Sequence, residues 1–366
     1  MRLLLITNDY PPKPGGIQQY LGNLVDHLSG PVRVLAPADG PADTRSGEGL
    51  VARNRRTFMW PTPAVADWIE SEAARFAPDV VLFGAPHPLP RLTDRLRQRL
   101  GTPIGVMCHG AEITLPAAVP GLRGAMIRSL RTADVRFAVS RYTQQRVQRL
   151  TGLPVVYAGG GVDPTMFTPA PDRRQPGAIP VVGCVSRFVP RKGQHRLVEA
   201  AARLGDRGTP VEVVLVGRGR KEGRLRSLAA RSGVVVRFAV DVPWEVLPDL
   251  YRTMDVFAMP CRSRWAGLEI EGLGLVYLEA AASGLPVLAG GSGGSPETVI
   301  PGKTGFVVHS VDDLIEGLEL MIGDPTRARA MGEAGRNRVL AEYTWEAVAT
   351  RLQAGFKAAT SGADTR

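Results

Sequence analysis

The chain has 366 residues, of which 44% are hydrophobic, a length that exceeds what one core supports and predicts two domains of ordinary size. No run of eighteen apolar residues occurs, which excludes a helical membrane span, and three scattered cysteines, Cys108, Cys184 and Cys261, exclude a disulfide framework or a zinc site. The net charge of +10 calls for an anionic partner, without choosing among nucleic acid, a phosphorylated small molecule and an acidic membrane surface.

At the N-terminus LLLIT (Leu3 to Thr7) reads as a strand, and Asn8-Asp9 follows too soon for a secretory signal core, so the expected location is cytoplasmic. The loop NDYPPKPGG comes next, then a helix whose Ile17, Tyr20, Leu21, Leu24, Val25 and Leu28 recur on one face. The runs VRVLAP, DVVLFGAP, PIGVMCHG and VRFAVS continue the pattern. After Pro180 it resumes with VVGCVSRF, VEVVLVG, VVVRFAV, VFAMP and PVLAG. Short β-rich runs alternating with helical stretches predict an α/β protein with parallel sheets and crossover helices.

The Pro- and Gly-rich stretch Thr168 to Pro180 breaks this rhythm near mid-chain. The expected organisation is a doubly wound domain over 1–168, a linker over 169–179 and a second doubly wound domain over 180–342. A terminal helix over 343–360, with Thr344 as its N-cap, and a frayed tail over 361–366 complete it. Ligands of such a pair would bind in a cleft at the carboxyl ends of both sheets.

Glycine loops test the dinucleotide alternative. Gly217-x-Gly219 follows a strand, but Glu222 stands where G-x-G-x-x-G needs its third glycine, which disfavours NAD(P). The loop at Asn8 lacks the fingerprint as well. AGGSGGSPET (Ala289 to Thr298) suits either a phosphate or a tight strand-to-helix turn, and the turn is favoured.

Three further segments carry candidate chemistry. EGLGLVYLE places Glu271 and Glu279 eight residues apart at a predicted helix start; as a helix that span is about 12 Å, the scale of a nucleotide diphosphate with its sugar. It reads either as a ligand site or as a solvated helix face. VSRFVPRKGQ sets Arg187 and Lys192 at a strand end, either as clamps on a departing diphosphate or as ordinary surface charge. CHGAEI puts His109 at another strand end, either hydrogen-bonding a sugar hydroxyl or satisfied within its loop.

Taken together, E-x7-E with an upstream Arg-x4-Lys and the TNDYPP loop resembles the retaining glycosyltransferases of family 4, over almost the whole chain. The resemblance implies the GT-B fold, two Rossmann-like domains facing across a cleft, with the C-terminal helix crossing back to the first. CRSRWAGLEIEGLGLVYLEAAASGLPVLAGGSGGSPETV is most similar to the actinobacterial α-(1,6)-mannosyltransferases that use GDP-mannose on phosphatidylinositol monomannoside, a membrane glycolipid.

By resemblance, Gly16 borders the donor diphosphate and acceptor, His109 contacts the transferred sugar, and Arg187 and Lys192 bind the diphosphate. Glu271 lies on the sugar, Gly272, Leu273 and Gly274 present the helix start, and Glu279 holds the ribose. Three positions depart from the family pattern: GGGVD at Gly159 to Asp163 lacks an asparagine, Val240 replaces a glycine, and Trp265-Ala266 replaces smaller residues.

No D-x-D pair occurs to hold a metal, so neither metal nor cofactor is expected, and Arg187, Lys192 and the helix N-terminus take that role. Retention is implied to proceed by front-face substitution, the leaving diphosphate taking the acceptor's proton. The basic stretches Arg91 to Leu100 and Arg123 to Arg131 are expected either to lie on the anionic inner face of the plasma membrane or to be solvated. No nucleic acid or stable protein partner is expected. Competing readings are a family 4 enzyme using UDP-glucose or UDP-N-acetylglucosamine on another acceptor, a nucleotide-sugar epimerase, and a non-enzymatic binding protein.

Overall fold

The computed structural model describes residues 1–38, 50–171 and 177–361. Most of the predicted tail, and the middle of the Thr168 to Pro180 stretch, lie outside them. The described chain forms two compact units, one of Met1–Gly161 with Trp345–Arg366 and one of Val162–Thr344.

The first unit is built on seven parallel strands: β1 (Leu3–Ile6), β2 (Val32–Ala36), β3 (Val51–Arg53), β4 (Val80–Phe83), β5 (Ile104–Cys108), β6 (Val135–Ala138) and β7 (Val156–Tyr157). Their order is β3-β2-β1-β4-β5-β6-β7. Registers such as Leu5↔Val34 and Leu5↔Leu82 place β1 at the centre, where each of its four residues is buried. Burial on both faces explains why these strands read as continuous apolar runs rather than alternating ones. The short strands β3 and β7 carry too few residues to give such a signal, and both were missed in the sequence.

The helix Trp345–Ser361 belongs to this unit. Trp345 packs edge-on against Tyr20, with ring centroids 5.2 Å apart, and Phe356 lies 5.2 Å from Phe137. Glycine at 105 makes room for Phe356, because a Cβ there would meet its ring at 2.6 Å. Arg351 donates to the Ala158 carbonyl at 2.9 Å, tying the helix to the segment after β7.

The second unit repeats the plan with six parallel strands: β8 (Val181–Val185), β9 (Glu212–Val216), β10 (Val236–Ala239), β11 (Val256–Met259), β12 (Val287–Gly290) and β13 (Gly305–Val308). Their order is β10-β9-β8-β11-β12-β13. The unit begins before the Pro-rich stretch, since Phe167 is buried against Tyr251 and Trp244, at 5.6 and 5.7 Å.

The chain is therefore an α/β protein of two doubly wound parallel sheets. In each, winding reverses beside the first strand, between β1 and β4 and between β8 and β11. Loops leaving the carboxyl ends of these strands diverge there and leave a crevice in which ligands of such sheets bind. None of the helices among the described residues is long and apolar enough to cross a membrane.

Candidate functional site

In the second unit the predicted residues converge on the carboxyl ends of β8 and β11. The turn after β8 is held by Gln194, whose amide donates to Ser186 Oγ and the Arg187 carbonyl, both at 2.8 Å. A single 3₁₀ turn, Pro190–Lys192, leads to Gly193, whose φ of +78° favours glycine. This conformation brings the turn against the Pro260 carbonyl after β11, so the two switch-point loops touch through backbone.

Lys192 is only 8% exposed, and its Nζ lies 2.8 Å from Glu271 Oε2. Arg191, which the sequence reading passed over, reaches the same oxygen with Nη1 at 2.5 Å. Burial alone would raise the Glu271 carboxyl, but Lys192 and Arg191 outweigh it and hold the group below the usual carboxylate range. Glu271 is thus ionised, paired to two cations. Arg187, by contrast, is exposed, and its side chain has no partner among the described residues.

The expected continuous helix from Glu271 to Glu279 is not present. The helix is Leu275–Ala282, and Glu271 to Gly274 form an irregular loop ahead of it, so the 12 Å estimate does not apply. Gly274 takes a φ of +89°, where a Cβ would also meet the Tyr277 ring at 2.7 Å, and this glycine turns the loop into the helix. The N–H groups of Gly272, Leu273 and Gly274 have no acceptor among the described residues. Gly274 caps the helix, and Gly272 and Leu273 lie in the loop just ahead of it.

The glycine-rich loop after β12 clasps Glu271 from behind. Ser292 Oγ accepts the Glu271 N–H at 3.2 Å, and the Gly294 N–H donates to the Glu271 carbonyl at 3.0 Å. Close backbone approach explains the glycines here, since a Cβ at Gly293 would collide with the Glu271 carbonyl.

Glu279 sits one helical turn further in, 4% exposed, and accepts a hydrogen bond from Tyr251 at 2.7 Å. Burial pushes its carboxyl up to about 7, against the opposing effects of Tyr251 and Lys192. Two buried glutamates of one motif therefore differ because paired cations outweigh burial at Glu271, whereas the phenol at Glu279 does not. Tyr251, like Arg191 and Ser292, was invisible as a site residue, since its partner is 28 positions away. Only the P-R-K-G string hinted at Arg191.

In the first unit Gly16 opens the helix Gly16–Asp26, at the end of the loop leaving β1. A Cβ at Gly16 would meet nothing within 4 Å, whereas one at Gly15 would collide with the Gln18 side chain. Asn8 braces the loop by exchanging hydrogen bonds with the Met59 backbone at 2.8 and 3.1 Å. Gln18 donates to Asp9 at 2.6 Å.

His109 follows β5, 7% exposed, packed edge-on against Tyr20 at 5.0 Å. Burial lowers its pKa to about 4, so it is neutral. Its Nε2 lies 3.0 Å from the Gly84 carbonyl, which requires the proton on Nε2 and leaves Nδ1 as an acceptor. The histidine is thus satisfied on one nitrogen by the end of β4 rather than within its own loop. Among the described residues no cluster of His, Cys, Asp and Glu is arranged to hold a metal ion.

Residues 14–166 match the model of Glycosyltransferase Family 4, and residues 171–338 that of Glycosyl transferases group 1. The chain is 40% identical over 96% of its length, and 97% of the relative's, to the GDP-mannose-dependent alpha-(1-6)-phosphatidylinositol monomannoside mannosyltransferase of Mycolicibacterium smegmatis. It belongs to glycosyltransferase family 4. A second relative, the GDP-mannose-dependent monoacylated alpha-(1-6)-phosphatidylinositol monomannoside mannosyltransferase of Corynebacterium glutamicum, is 36% identical over 96% of each chain. The GT-B fold of the glycosyltransferase is shared with sucrose-phosphate synthase from Thermosynechococcus elongatus, with a TM-score of 0.81, 22% identity and 99% of both chains covered.

Proposed function

We propose that this glycosyltransferase transfers α-mannose from GDP-mannose to the 6-position of a mannose on phosphatidylinositol monomannoside, with retention of configuration. The observation that carries the reading is 40% identity over nearly the full chain to an enzyme named for that reaction. The site chemistry supports the same reading. Arg187 and Lys192 receive the donor diphosphate together with Arg191, and the free N–H groups of Gly272, Leu273 and Gly274 cap it. Glu279 accepts from the ribose hydroxyls, and Gly16 lets the diphosphate and acceptor pass close to the backbone.

Glu271 is paired with Lys192 and Arg191. On this proposal the arriving diphosphate exchanges with the carboxylate on those cations, and Glu271 turns to the hydroxyls of the transferred sugar. His109, neutral and protonated on Nε2, accepts from a sugar hydroxyl through Nδ1. Catalysis then rests on fixed cations stabilising the departing diphosphate and on orientation, with the diphosphate taking the acceptor's proton.

A glycolipid acceptor implies peripheral contact with the inner face of the plasma membrane. The two basic stretches differ in their fitness for it. Arg95 is committed to Asp67 and Glu70 at 2.5 and 2.6 Å, and Arg97 to Asp134 at 2.9 Å. Arg123 and Arg128 have no partner among the described residues, and Val119 and Leu122 nearby are exposed. The second stretch is therefore the proposed membrane side.

The deciding experiment is a donor screen with labelled GDP-mannose, UDP-glucose and UDP-N-acetylglucosamine against membranes that contain phosphatidylinositol monomannoside. A dimannosylated lipid from GDP-mannose is the expected product. A product from a UDP-sugar alone, or on a soluble acceptor alone, refutes the assignment, and isomerisation of the donor without acceptor would identify an epimerase.

A further inference from the structure

Beside the turn that carries Lys192, the second unit carries a groove of about 700 Å³ between the helices Gln194–Asp206 and Glu222–Ser232. That is the volume of a small-molecule site. One wall is a single stripe of the second helix: Arg224, Leu225, Leu228 and Arg231 recur at helical spacing, with Lys221 just ahead of them. Val189, Pro190 and Ala202 add apolar surface, and Arg262 also lines the groove.

The charge is one-sided. The groove is lined by six Lys and Arg side chains against one acid, Glu199. Two of the six are committed, Arg203 to Asp312 at 2.5 Å and Arg264 to Glu269 at 3.1 Å. Lys221, Arg224, Arg231 and Arg262 have no acidic partner among the described residues. His195, also on the wall, reports the resulting field: burial first, then Arg262, Arg196 and Arg224, lower its pKa, with Glu199 opposing. Arg224 and Arg262 thus act on one point from two different elements. Uncompensated like charges around a concave, partly apolar surface are unfavourable until an anion joins them.

We propose that this groove is a second anion site, which takes a phosphate ester bearing an apolar group, the phosphate on Arg224 and Arg262 and the apolar part along Leu225 and Leu228. Arg231, about 10 Å along the helix from Arg224, meets a further polar group at the far end. A bare phosphate would use only one end of the groove. The shared chemistry has two sources, a soluble phosphate ester and the headgroup region of a phospholipid, and the site needs neither the donor nor the acceptor named above.

The test is calorimetric titration of the full chain at low salt with 1-naphthyl phosphate, inorganic phosphate and monomeric short-chain phosphatidylglycerol. Naphthyl phosphate is expected to bind at least about tenfold more tightly than inorganic phosphate, and the Arg224→Ala/Arg262→Ala variant to lose at least about tenfold of that affinity. Both arginines are exposed, so the variant is expected to fold, which circular dichroism checks. Tighter binding of the lipid assigns the groove to a headgroup, and tighter binding of the aryl phosphate to a soluble ester. Equal affinity for inorganic phosphate, no change in the double variant, or loss in Lys192→Ala instead would each overturn the proposal, the last by locating the binding at the Glu271 site.

Discussion

Lys192 and Glu271 form a buried ion pair, 2.8 Å apart, in a pocket where Arg191 adds a second cation to the same carboxylate oxygen. Removing a cation leaves the carboxylate short of a partner, whereas neutralising the carboxylate leaves two cations to be met by an anionic ligand. Glu271→Gln is therefore expected to bind GDP at least as tightly as the parent, while kcat falls about 100-fold because the sugar loses its carboxylate. Lys192→Ala is expected to lose both GDP affinity and turnover. Separate measurement of GDP binding and kcat checks the split; parallel loss in both variants would remove the exchange of Glu271 for diphosphate.

Glu279 makes stability depend on pH. Its folded pKa, about 7, lies above the ordinary 4.5, so the native chain holds a proton that the unfolded chain releases. The associated stability is fully present below about pH 4.5 and is lost as pH rises through about 7. Glu279→Gln keeps an oxygen for Tyr251 and is expected to flatten this slope, gaining up to ~3 kcal/mol over the parent at pH 8. Urea unfolding at pH 5 and pH 8 measures it. A slope unchanged by the substitution would contradict the raised pKa.

Gly16 separates transfer from folding. A Cβ there meets open space, so Gly16→Leu is expected to keep the parental Tm within about 2 °C. On the proposed placement beside the diphosphate and acceptor, the same variant loses transfer at least about tenfold. Full activity in a folded Gly16→Leu chain would move the substrates away from this loop.

Fixed cations predict indifference to chelators. With Arg187, Arg191 and Lys192 neutralising the diphosphate, turnover is expected to persist in excess EDTA. Abolition of turnover by EDTA, reversed by a divalent ion, would require a metal in the mechanism.

Membrane contact is expected to follow the second basic stretch. Flotation with anionic vesicles should be weakened by Arg123→Glu/Arg128→Glu and left unchanged by Arg95→Ala, whose guanidinium is already held by Asp67 and Glu70. Equal flotation of all three chains would remove this surface from the proposal.

How much of this was legible in the residues follows from the range of the interactions involved. Strands buried on both faces announce themselves as apolar runs, and the helices between them carry their own periodicity, so the two doubly wound units followed from local pattern. The glycines at 274 and 293 were visible as motif letters for the same reason, since backbone geometry is a local demand. The short strands β3, β7 and β13 left no comparable trace, because pairing with neighbours, rather than their own few residues, makes them strands.

The charge state of the site was decided only by tertiary structure. Glu271 and Glu279 are the same residue type in one nine-residue motif, yet Arg191 and Lys192, 80 and 79 positions away in the chain, keep the first ionised. Burial, only partly offset by the hydrogen bond from Tyr251 in a third segment, raises the second to about 7. Sequence determined which chemical groups are present and the loops that carry them. Folding determined which ones share a desolvated space, and at these distances that choice sets their charge.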